Sequence, residues 1–201
     1  AGLGRPAEAK SGRSHSDPAV VSGVAVCVLL VTALIFVEFG PLSIHMLGHL
    51  ITMNILAPLL AVALAAGGRL PAGLGRSALL WYATTIQMGL LWAWHSHSIQ
   101  HVAHSNPIIA ALLHAGLLIA ALAFWSAVIV SASRPWQTIL ALLISGKLAC
   151  LLGALLVFSP RLLIETATAG DGAIADQHLA GLLMLAACPL SYILAAIVLT
   201  A

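Results

Sequence analysis

His45 and His49 stand four residues apart, so on a helix both imidazoles project from one face. Met46 and Met53 bracket His49 at spacings of three and four, which adds thioethers to the same stripe. Met88, Trp92 and His95 repeat the arrangement further along the chain, and Met184 follows His178. Neutral imidazole nitrogen and thioether sulfur together favour copper, Cu(I) above all, whereas carboxylate-rich sets favour harder ions. His97, His101, His104 and His114 complete the candidate metal ligands. A lone interfacial histidine is ordinarily an amphipathic side chain, and a methionine at helical spacing is ordinarily core filler. A site is therefore expected only where several such groups converge.

The elements that must position these groups follow from composition. The chain is 61% hydrophobic and 7% charged, and it contains apolar runs long enough to cross a bilayer, which takes about 20 helical residues. The runs are too long and too poor in period-two alternation for barrel strands, so helices must satisfy the backbone in lipid. The expected fold is all-α: a transmembrane helical bundle of about six spans. They are 19–37, 44–65, 78–94, 108–130, 137–158 and 178–199, with short connections that make residues 19–201 one domain. Residues 1–18 are polar, carry Arg5, Lys10 and Arg13, and read as a flexible tail. Glu38 to Pro41 reads as a turn. Ser96 to Asn106 reads as a solvated turn, with Asn106 capping a helix that has Pro107 at its first position.

Six spans put the tail, Arg69, Arg76 and Arg134 on one side of the membrane and leave Arg161 on the other, so both termini are expected in the cytoplasm. On that topology every histidine except His15 falls at or near the outer face. His45 and His49 open span two, His95 closes span three, His97, His101 and His104 follow it, and His178 opens span six. His114 lies about 10 Å down span four at 1.5 Å per residue. Hydropathy placed the spans without reference to histidine, so this collection is an independent result. Lys147 lies near the middle of span five, where a charge costs about 2.5 to 3.5 kcal/mol on insertion scales. It is expected to face the interior and to pair with an acid such as Asp176 or Glu38. Cys27, Cys150 and Cys188 all fall within spans, which argues against a disulfide framework and for packing.

Several stretches resemble the caa3-type CtaG family of cytochrome c oxidase assembly factors. They are His45-Met46-Leu47-Gly48-His49-Leu50-Ile51-Thr52-Met53 running into Ala57-Pro58-Leu59-Leu60, then Trp92-Ala93-Trp94-His95, His114 with the later Phe124-Trp125, Leu156-Val157-Phe158-Ser159, and Asp176 to Met184. The likeness runs from about residue 40 to 190. It departs from the family after His95, where a Pro and a Leu-Tyr-Asp run usually follow and this chain has Ser96-His97-Ser98-Ile99-Gln100-His101. The family also usually has a further histidine shortly before His114, and often seven spans.

The resemblance implies a bacterial inner-membrane protein that matures a haem-copper oxidase by handling its copper. The client would be a cytochrome c oxidase subunit, a periplasmic copper carrier would be a possible donor, and the lipid bilayer would be the solvent. No nucleic-acid partner is expected. His45, His49, His95 and His114 would form a cage with Met46, Met53 or Met88 as soft auxiliaries, and Asp176 would orient an imidazole through its second nitrogen. His97, His101 and His104 would form an entry funnel. No nucleophile and base stand out, so no enzymatic step is expected. Two alternatives are a cytochrome b-like protein with histidine-ligated haem and a proton or metal transporter relaying through Lys147, Asp176 and the histidines.

Overall fold

A computed structural model of the chain describes residues 39–163 and 172–200. The tail, the predicted first span, and Glu38, Glu165 and Asp171 lie outside these residues. Six helices are described: α1 (Pro41–Ala66), α2 (Ser77–Trp94), α3 (His97–Ser105), α4 (Pro107–Val130), α5 (Pro135–Phe158) and α6 (Ala173–Thr200). No strand occurs among the described residues. Proline opens α1, α4 and α5, where its missing N–H costs nothing and its fixed φ suits the first turn. Asn106 caps α4 as its sequence position suggests: its side-chain oxygen accepts from the Ile108 and Ile109 amides at 2.9 and 3.4 Å.

Four helices, α1, α4, α5 and α6, are long and apolar enough to cross a membrane. The predicted third span is α2, which is 18 residues long and less apolar because Thr84, Thr85 and Gln87 interrupt it. Gln87 is fully buried and donates through Nε2 to the Tyr192 hydroxyl of α6 at 2.9 Å. The expectation of a solvated turn over Ser96 to Asn106 is corrected: His97–Ser105 is the helix α3. Gln100 and Ala103, three residues apart, are buried and fix its inner face.

The long helices and α2 close into a ring. α1 packs between α4 and α6, α6 packs on α5, α5 on α2, and α2 on α4. Lipid offers no hydrophobic drive between helices, so small residues and interhelical polar bonds must hold such a ring. Gly153 and Gly181 let α5 and α6 approach closely, since a Cβ on Gly181 would stand 2.7 Å from the Gly153 carbonyl oxygen. Inside the ring Trp125 stacks on Tyr192 at 5.7 Å, and Phe124 meets the same tyrosine edge-on. Large apolar side chains such as Leu112, Ile119, Ile193 and Val198 are exposed on the outer surface, as lipid contact requires.

Lys147 corrects another expectation. It is exposed on the outside of α5, and Asp176, the one acid among the described residues, is engaged elsewhere. The inner face of α5 is built from Ser145, Gly146, Ala149 and Gly153, which let α6 come so near that a lysine would not fit. Its long stem instead allows the ammonium to reach towards an interface.

One turn of α1 is widened to a π-helix over Thr52–Leu56. Pro58 is the cause. It has no N–H, and in a regular helix its ring would press on the carbonyl of residue 54. In the widened turn the Ala57 amide bonds the Thr52 carbonyl, five residues back. The Met53 carbonyl then has no amide to receive, because its partner would be Pro58. The Trp125 indole N–H of α4 donates to it at 2.8 Å. The sequence irregularity thus becomes a bond between helices, immediately below His49.

Candidate metal centre

The direction in which α1 presents its histidines is set at its first turn. Gly40 is extended and offers no side-chain cap, so the opening amides of α1 need an acceptor from elsewhere. Asp176 of α6 supplies it: its carboxylate accepts from the Leu42 amide at 2.9 Å and the Ser43 amide at 3.1 Å. The Ser43 hydroxyl donates to the same carboxylate and to the Asp176 carbonyl at 3.1 Å. A Cβ on Gly40 would collide with this carboxylate, so only glycine admits it. The expected role of Asp176, orienting an imidazole, is therefore corrected; its oxygens cap α1 and fix the rotation of that helix.

With α1 so held, His45 and His49 turn into the ring, where α4 brings His114 against them. The ligand nitrogens of His45, His49 and His114 all lie within 4.8 Å of one another. The Nε2 atoms of His45 and His49 are 2.8 Å apart, and the His114 ring lies 5.3 Å from each of the other two rings. His114 holds its other nitrogen, Nδ1, on the Ala110 carbonyl at 2.8 Å, a bond that fixes the tautomer and aims Nε2 outward from its helix. Burial is graded across the three: His49 is buried, His45 half-buried and His114 exposed.

His95 adjoins this group from the end of α2, with its ring 5.6 Å from that of His49. Its Nδ1 meets the Leu91 carbonyl at 2.6 Å, and its Nε2 meets the Met46 sulfur at 3.1 Å. The carbonyl can only accept, so Nδ1 carries the proton and Nε2 is the lone-pair nitrogen a metal requires. Imidazole and thioether, the pair of soft donors expected from spacing, therefore touch across two helices.

The other sequence candidates are placed differently. Met53 is buried one turn below His49 and Met184 is buried on α6, and both line a cavity there. Met88 is buried beside a groove between α2 and α5, with Trp81 and Leu148, away from the imidazoles. His97 and His101 are exposed on α3, and the side chain of His104 lies outside those described. His178 is half-buried on α6, and no ring contact joins it to the cluster among the described residues. Lys147 stands outside the ring.

Spacing did not single out Trp94. It is buried, stacks on His45 at 5.3 Å, meets His114 edge-on at 4.5 Å, and donates its indole N–H to His45 Nε2. That nitrogen is thus the acceptor of the indole N–H. The available signal was a tryptophan next to a histidine at a helix end, since a buried indole N–H needs a partner.

Three convergent imidazoles with a thioether alongside suit a soft ion of low coordination number, and the absence of carboxylate from the group disfavours magnesium or calcium. Neither curated proteins nor solved structures provide a match to the chain. The family described as cytochrome c oxidase caa3 assembly factor (Caa3_CtaG) matches residues 19–201. With helices built for a membrane and nearly its whole length matched, the chain belongs to this family of cytochrome c oxidase assembly factors.

Proposed function

We propose that the protein binds copper at His45, His49 and His114, with His95 and Met46 in support, and passes it to its client cytochrome c oxidase. The observation that carries this reading is the convergence of three imidazole nitrogens within 4.8 Å from two helices. Family membership gives the client its class. Copper is here a cargo, so the site must release as well as hold it, and no bond of a substrate is made or broken. Graded burial suits both needs, since the exposed His114 receives the ion and the buried His49 retains it. The expected orientation opens the cluster to the outer side of a bacterial cytoplasmic membrane, where a periplasmic carrier could deliver copper. A haem held by these histidines fits less well, because His45 and His49 touch directly and leave no gap for a porphyrin between their nitrogens.

The test is a Cu(I) titration of the detergent-solubilised protein. Replacing His49 and His114 together by Ala should remove the nitrogen-ligated equivalent of Cu(I) while leaving the helical content unchanged. Undiminished binding in that variant would remove the histidine site.

A further inference from the structure

Below the imidazoles the ring is incompletely filled. A cavity of about 10 Å³, room for one water-sized sphere, lies inside the ring among α1, α2, α5 and α6. Its walls include Met46, Met53, Met184 and Cys188, with His49 and Asn54. Three of the four methionines of the chain and one of its three cysteines therefore border one void. Methionine ordinarily closes such gaps, since three rotatable bonds let it adapt to irregular space. Here three thioether side chains border a space instead of closing it.

The polar group beside the sulfurs is also oriented. The Ser191 hydroxyl is shared between Asn54 Oδ1 at 2.9 Å and the Cys188 carbonyl at 3.0 Å, and the Asn54 amide N–H₂ faces Cys188 Sγ, 3.8 Å away. An N–H beside the sulfur would favour a thiolate ligand once an ion is bound, as hydrogen bonds around a metal centre do. Asn54 lies in the π-helical turn, and such turns recur at functional sites.

We propose that Met53, Met184 and Cys188 form a second site, for a monovalent soft ion, with Met46 and His49 at its rim. The inference rests on the copper-binding reading above and adds an inward step to it. His49 borders both the imidazole cluster and this cavity, and Met53 is one helical turn deeper, about 6 Å along the axis. An ion leaving the histidines binds the sulfur of Cys188, and the thiol proton leaves to water at the mouth of the cluster, where His114 is exposed. Charge is conserved, and the buried ion is neutralised by its thiolate. A divalent ion would carry an uncompensated charge into the bundle and is disfavoured there.

Cu(I), and separately Ag(I) as a redox-inert probe, would be titrated into the full chain in detergent, with X-ray absorption reporting the donor atoms. Wild type should bind two equivalents with both nitrogen and sulfur neighbours. The Met184→Leu/Cys188→Ala variant, which preserves apolar bulk, should lose one equivalent and the sulfur signal. The His45→Ala/His114→Ala variant should lose the other and keep sulfur. The core site is overturned if wild type saturates at one nitrogen-bound ion, or if Met184→Leu/Cys188→Ala retains both equivalents; the histidine reading survives either result. A wild-type protein that binds neither ion overturns both.

Discussion

Two histidine pairs with identical spacing meet different fates in this molecule. His45 and His49 are four residues apart on α1, and His97 and His101 are four apart on α3. Each spacing puts two imidazoles on one helical face. The first face turns into the ring, where α4 adds His114 and α2 adds His95 and Trp94. The second is turned away from Gln100 and Ala103, the buried residues of α3, and is exposed. Among the described residues no neighbouring helix brings it a third imidazole. Spacing selects a face, and packing decides whether that face has partners.

If packing makes the difference, the first pair should lose its advantage when its helix is loosened without any change to a histidine. Asp176→Ala does this, because it strips the acceptor from the opening amides of α1. Charge-assisted hydrogen bonds to a buried helix start are worth about 2 kcal/mol or more. The variant should unfold in detergent with stability lower by about that amount and should bind Cu(I) more weakly, whereas Asp176→Asn, which retains one acceptor oxygen, should recover part of both losses. Unchanged Cu(I) affinity in Asp176→Ala would show that the cluster does not depend on how α1 is seated.

A smaller change sharpens the comparison from within. The Trp94 indole N–H donates to the lone pair of His45 that an ion would need. Trp94→Phe keeps an aromatic ring against His45 and His114 but removes that donor. One neutral hydrogen bond is worth about 1 kcal/mol, so Cu(I) should bind about fivefold more tightly. Weaker binding would mean that the ring serves as a wall of the site and that its N–H does not compete.

Sequence made much of the fold legible for a physical reason: in lipid, long apolar runs have few alternatives to helix. The spans predicted from Ile44, Ile108 and Gln137 appear in α1, α4 and α5, each opened a few residues earlier by proline. α6 starts at Ala173 and not His178, because polar Asp176 and Gln177 are helical while bonding outward, Asp176 to α1 and Gln177 to the Leu156 and Arg161 carbonyls. The i, i+4 pair on α1 and its proximity to His95 and His114 could be anticipated from their common membrane face. The role of Asp176 could not, since it depends on which helix start packs beside it. Nor could the exposure of Lys147, which follows from the closeness of α5 to α6. The sulfur-lined cavity needed the relative rotation of α1 and α6, about which periodicity is silent.

The smallest expected effect belongs to the second pair. His97 and His101 are exposed on a helix whose buried face does not include them, and surface substitutions of that kind shift free energies by about 0.5 kcal/mol or less. The His97→Ala/His101→Ala variant should therefore change the equilibrium Cu(I) affinity by no more than about twofold. Its association rate is the more telling quantity, because exposed imidazoles near the mouth could capture an ion and hand it to His114 without altering the final equilibrium. A slower association with unchanged affinity would make α3 a funnel. A tenfold loss of affinity would instead make these histidines ligands, and the contrast between an inward and an outward pair would fail.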